Sequence, residues 1–268
     1  TRAVLALAAS WIVADVPAPG PALMAETREE AEAGEPAARR FVHEGTDRET
    51  FVGAYGGAPY TYPSRITVDD GRGTRLELPS VPWDARPFDH PIYYGIRVVR
   101  WNRSSPVGIM LDFTHNKAIA RKKADAAAKG TIDGKPVPAD AKVGDIFHHL
   151  EFTHGHNLLT LNALFRPGLG SALVKPYFGF GAGVSLPHSE AQFKGVAGRT
   201  YEYQYTGPNA QVVAGVELRI LRFSYFLEYK FAVAPYHVPL HGRDGGILFT
   251  DLARQFARWW SGAEPARG

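Results

Sequence analysis

The chain has 268 residues, a formal net charge of +3, a hydrophobic fraction of 45% and no cysteine. Lack of cysteine excludes disulfides, thiolate metal sites and cysteine nucleophiles, and a small net charge without an arginine-rich stripe argues against a nucleic-acid partner. Beyond the N-terminus no stretch approaches the roughly 20 apolar residues of a membrane-spanning helix, while 28 Gly, 12 Tyr and 15 Phe suit short, twisted, aromatic-rich strands.

In chain order, Arg2 precedes an apolar run at 3–14 (AVLALAASWIVA), and small residues with Pro and Gly follow up to Ala25. That pattern predicts a signal peptide over 1–25, although Leu23 occupies a position where a small residue is preferred if cleavage follows Ala25. A buried helix or a retained anchor would read the same way. Residues 26–48 are charged and rich in Ala and Glu, which predicts a periplasmic leader.

From residue 49 period-two alternation dominates. A weak, glycine-broken strand is predicted at 51–62, and a second at 92–101, where Ile96 and Val98 oppose Arg97 and Val99. At 107–116, Val107, Ile109, Leu111 and Phe113 alternate with Met110, Asp112 and Thr114. Further strands follow at 157–165, 175–185, 210–220 and 223–231; in the last, Phe223, Tyr225, Leu227, Tyr229 and Phe231 alternate with Ser224, Glu228 and Lys230. Residues 247–260 are the candidate for an eighth strand. Their apolar residues Leu248, Leu252, Phe256 and Trp259 also have helical spacing, which admits an interfacial amphipathic helix instead.

The polar faces separate two architectures. Arg97, Asp112, Asn162, Gln211, Glu217, Arg219, Glu228 and Lys230 each stand opposite an apolar row. A soluble sandwich would turn such a face to water, whereas a small membrane barrel turns it into a narrow interior where acids and bases must pair. Tyr93, Tyr94, Trp101, Phe165, Tyr177, Phe231 and Tyr236 lie at strand ends, where interfacial aromatic girdles would form. Connections alternate between short (102–106, 166–172, 221–222) and long (117–153, 186–208), as in outer-membrane barrels. The predicted fold is an all-β, eight-stranded antiparallel up-and-down transmembrane β-barrel over 49–262, with a tail at 263–268, located in a bacterial outer membrane.

All histidines except His43 fall in or beside the long connections. In the sequence Glu151-Phe-Thr-His154-Gly-His156-Asn157, His154 and His156 are two apart, so on an extended chain they share a face, in phase with Thr160 and Asn162. Two imidazoles so placed could grip one divalent metal with a third ligand from a neighbour; rim histidines bound to water or headgroups would look the same. Asp112 and His115 end the preceding strand at the same rim. Strict alternation points Asp112 inward, as a ligand, an orienting acid or the salt-bridge partner of Arg97, and His115 outward unless a bulge intervenes. His188 and Glu190 top the fifth strand and could complete the shell. Arg121, Lys122 and Lys123 would meet lipopolysaccharide phosphates above the outer leaflet, or form a solvated loop.

The segments PIYYGIRVVRW, GIMLDFTHNKAIA, LEFTHGHNLLTLNALFR, KPYFGFGAGVSLPHSE and VAGVELRI with FSYFLEYKF resemble the successive strands of lipid A oxidase-like outer-membrane proteins, over roughly residues 50–232. The resemblance implies oxidation of the proximal glucosamine of lipid A to 2-aminogluconate, dependent on O2 and a divalent cation and yielding hydrogen peroxide. It supplies no catalytic residue set. One departure is the C-terminus, which continues past Trp259 and Trp260 instead of closing on an aromatic residue. Two other classes fit the same residues: a non-enzymatic outer-membrane barrel with a structural, adhesion or membrane-complex subunit role, and a soluble β-sandwich lipid carrier.

Overall fold

A computed structural model describes residues 3–13 and 48–238, apart from 70–72, 169, 172, 196, 197, 221, 222 and 237. The segment 247–260, expected as the last strand or a helix, lies outside the described residues.

The described chain is almost entirely strand. In order it comprises β1 (Ala3–Val13), β2 (Arg48–Thr61), β3 (Ser64–Asp69), β4 (Arg75–Val81), β5 (Trp83–Asp84), β6 (Tyr94–Asn102) and β7 (Val107–Ala120). Then come β8 (Lys129–Ile132), β9 (Lys135–Pro136), the single-turn α1 (Val143–Ile146), β10 (Phe147–Phe165), β11 (Val174–Ser185) and β12 (His188–Phe193). The last elements are β13 (Thr200–Tyr203), β14 (Gly207–Ile220) and β15 (Phe223–Val233).

The main sheet is antiparallel and curled. Its order runs β13-β12-β10-β11-β14-β15-β1-β2-β6-β7-β5, and β10 also pairs with β7. Every strand predicted from alternation between 51 and 231 is present. The apolar run expected as part of a signal peptide is strand β1, joined to β15 from Ala3↔Val233 and to β2 from Val4↔Thr61. This run of eleven residues, all apolar but Ser10, is short for a spanning helix but matches the roughly 9–11 residues of a spanning strand, which is why one run supports both readings.

Burial in this sheet is inverted relative to a soluble protein. Along β15, Leu227 is 64% and Tyr229 43% exposed, while Glu228 and Lys230 between and after them are each 2% exposed. The same alternation exposes Ile96 and Val98 around buried Arg97, Ile109 and Leu111 beside buried Asp112, and Leu218 and Ile220 around buried Arg219. Charges are almost never fully buried unless paired, and here they are paired in two layers. In the upper layer Arg97 grips Glu228 (2.9 and 2.8 Å) and reaches Asp112 (3.3 Å), while Lys230 binds Asp112 and Tyr55. Gln211 links Asp112 (3.3 Å) to Asn162 (2.9 Å). In the lower layer Arg166 and Arg219 both engage Glu217 (2.5 and 2.7 Å) and Glu49 (3.9 and 3.0 Å). Each layer holds two cations and two anions. Phe51, Val99, Trp101, Met110, Leu164, Tyr177, Val213 and Phe226 form a buried apolar cluster on the same inner face.

Three residues expected in the aromatic girdles point inward instead. Trp101 receives the Arg166 guanidinium on its ring at 3.9 Å, Tyr177 donates to Glu228 at 2.7 Å, and Tyr93 packs on Tyr55. Strand ends do not decide which way a ring faces; parity does. Tyr94, Phe165 and Tyr60 are exposed.

Beyond the long-connection ends of these strands, burial returns to the soluble pattern. A second antiparallel sheet, β3-β4-β8-β9, alternates buried and exposed residues with its apolar side chains inside. Ile66, Val68, Leu76, Leu78, Val81 and Trp83 pack there with Ala118, Ala120, Val143, Ile146, Phe147 and Phe152. Strand β7 crosses from one regime to the other, presenting Ile109 and Leu111 outward and then burying Ala118 and Ala120.

Candidate functional site

The long-connection rim gathers the residues singled out from the sequence, but not as one shell. The pairing of β10 with β7 slips between Phe152↔Ala118 and His156↔Asn116, so four residues on β10 span two on β7. Gly155 sits in this bulge at φ +139°, a conformation a side chain rarely adopts. The bulge breaks the two-residue parity on which a shared His154–His156 face depends.

The two imidazoles therefore have different surroundings. His154 is exposed, with its ring 4.9 Å from His188 and its Nε2 3.3 Å from the Tyr201 hydroxyl. His156 is buried against Phe152 and Tyr236, and its Nε2 bonds the Tyr236 hydroxyl. His115 is also buried, stacked on Tyr94 at 4.8 Å, with Nδ1 2.9 Å from Asn157 Oδ1. Asp112 belongs to the inner ion layer with Arg97 and Lys230, the salt-bridge role that alternation allowed. His188 stands on β12, boxed by Tyr201 (4.5 Å) and Tyr203 (4.8 Å). Burial, reinforced by nearby His154 and Arg199, holds its imidazole below the ordinary histidine range, which favours the neutral ring.

A different set converges. His149 and Glu151, two apart on β10, share one side, and Glu190 on β12 is the direct cross-strand partner of Glu151. His149 Nδ1 lies 2.9 Å from Glu151 Oε1 and 3.5 Å from Glu190 Oε1. Among the described residues this is the group of three whose metal-ligating atoms all lie within 4.8 Å of one another. Of the three, sequence reasoning named only Glu190 as a ligand. Residues 148–153 read as connection in the sequence, whereas β10 begins at Phe147. The available signal was the spacing His149-x-Glu151.

Glu151 also walls a cleft of about 730 Å³ between β5, the 86–91 segment, the end of β7 and the start of β10. Arg121, Lys122 and Lys123 line it, with Arg86, Lys117, Asp84, Asp89, His90 and His154. Arg121 is held to Asp84 at 2.6 Å, and Lys117 Nζ donates to the Asp89 carbonyl at 2.7 Å. The basic run predicted to meet phosphates thus shares one cavity with a carboxylate of the His149 group. Five cationic side chains against three anionic ones give the cleft a net affinity for anions.

Comparison with models of known protein families, with curated proteins and with solved structures finds no match. The class defined by fold and site is an all-β protein with a curled antiparallel sheet, apolar on its outer face, with paired charges and an apolar cluster on its inner face and a charged cleft at one rim.

Proposed function

We propose that the chain spans a bacterial outer membrane as a closed eight-stranded barrel and acts there as a lipid A oxidase-like enzyme at the outward rim. The observation that carries the reading is the change of burial rule within one chain. The rim sheet hides its apolar side chains, as water demands. The barrel strands expose long apolar rows and bury Arg97, Asp112, Glu217, Arg219, Glu228 and Lys230, which suits a hydrocarbon surrounding. Closure is supported by the pairings: β7, β10, β11, β14, β15, β1, β2 and β6 each have two antiparallel neighbours within this set, leaving no open edge among them.

With the long connections outward, the cleft stands at the level of outer-leaflet headgroups. Lipopolysaccharide is anionic there, and Lys117, Arg121, Lys122 and Lys123 would hold its phosphates. The reaction that the resemblance implies acts on a proximal glucosamine with a free anomeric hydroxyl: the C1–H and O1–H hydrogens leave with two electrons and pass to O2 as hydrogen peroxide, so that C1 becomes the lactone carbonyl. Water then opens the lactone to 2-aminogluconate. A divalent cation, when bound, supplies Lewis-acid or redox chemistry to this step. The cleft residues bind and orient the lipid.

Mass spectrometry of lipid A from cells with and without the gene tests this. The expected result is a species gaining one oxygen only where the gene is present. An identical lipid A profile in both strains would leave a non-enzymatic barrel, with an adhesion or complex-subunit role, as the better reading.

A further inference from the structure

We infer that His149, Glu151 and Glu190 form the divalent-metal site of this protein, in place of the His154–His156 pair. Three observations converge on it. First, Glu151 and Glu190 are direct cross-strand partners, and like charges so placed repel unless a cation lies between them. Second, metal–ligand bonds of about 2.1 Å set neighbouring ligand atoms about 3.0–3.4 Å apart, and the His149 nitrogen already stands 2.9 and 3.5 Å from the two carboxylates. Third, Glu151 faces the basic cleft, so an ion held here keeps an open side toward whatever the cleft binds, as catalytic sites require.

Arg199 also neutralises Glu190, with Nη1 3.3 Å from Glu190 Oε1. Its side chain is 42% exposed and stacks on Tyr201 at 4.3 Å, so it can withdraw without opening a core. One imidazole nitrogen with two carboxylate oxygens is a donor set for ions such as Mn2+ or Zn2+ rather than for soft Cu+. As the cation of the proposed oxidation, the site rests on that reading. Its binding needs no lipid.

The test is Mn2+ titration of the full chain folded in detergent micelles, followed by electron paramagnetic resonance. The expected result is one bound Mn2+ per chain, with nitrogen modulation from an imidazole in the spin echo. Glu190→Gln and His149→Ala should each weaken binding at least tenfold, while His154→Ala with His156→Ala should retain it. Absence of saturable binding by the unaltered protein would overturn the site, as would undiminished binding by both Glu190→Gln and His149→Ala. If a variant fails to fold, the nitrogen modulation of the unaltered chain and its persistence in the His154, His156 double variant decide the matter. Metal binding with unchanged lipid A would sink the enzymatic reading and leave the site standing.

Discussion

Arg97 and Glu228 face each other across the inside of the curled sheet, 131 residues apart in sequence, joined by paired hydrogen bonds of 2.9 and 2.8 Å. Their strands, β6 and β15, are not neighbours; β1 and β2 lie between them. The pair thus ties two non-neighbouring strands together across the concave face, where both groups are almost fully buried. Such a bridge is worth little against apolar packing, but breaking it by removing one partner strands a buried charge.

The two-by-two balance of the upper layer makes this measurable. Arg97→Met leaves Asp112 and Glu228 facing Lys230 alone, and is expected to cost roughly 3–5 kcal/mol in urea unfolding from vesicles. Adding Glu228→Gln restores neutrality and should recover at least half of that loss. Strict additivity of the two changes would mean that the pair is not coupled.

The burial rule changes along β7, and substitutions on either side of the change should behave oppositely. Leu78, fully buried in the rim sheet, should lose about 2–5 kcal/mol on replacement by Ala. Leu227, 64% exposed on the outer face of the curled sheet, should cost far less as Ala but about 2–4 kcal/mol as Arg if it faces the bilayer midplane. In water an exposed Leu→Arg change would be close to neutral. Equal tolerance of Arg at Leu227 in vesicles would contradict a lipid-facing wall.

The absence of cysteine makes engineered cross-links unambiguous. Ala8 and Gly57 are direct partners in the β1–β2 pairing, so Ala8→Cys with Gly57→Cys should form a disulfide in protein recovered from outer membranes. No cross-link, together with a mature N-terminus beyond Ala25, would show that residues 1–25 are removed and that another segment fills the place between β15 and β2.

Much of this was legible in the sequence because one signal, period two, fixes both strand and facing. Residues 107–116 and 223–231 predict which side chains line the interior, and Asp112, Glu228 and Lys230 are buried where alternation puts them. The rim was harder. Strands β3, β4 and β8 are four to seven residues long, too short for alternation to stand out among prolines and charges. The bulge around Gly155 is invisible to any argument from strict parity, although a glycine inside a strand pattern is its usual mark. The His149 group depends on the β10–β12 register, which no local pattern specifies. Cross-strand convergence is a property of pairing, and a single strand carries only half of it.

The proposed membrane barrel requires the apolar outer face of these strands to lie in hydrocarbon. Phe180 is 67% exposed on that face of β11, between Gly179 and Gly181. A Phe180→Cys variant carrying a polarity-sensitive dye, folded into vesicles, measures the surrounding directly. Blue-shifted emission, quenched by brominated acyl chains and shielded from aqueous iodide, is the expected result. Emission at the wavelength seen in water, open to iodide and indifferent to brominated lipid, would contradict the membrane barrel.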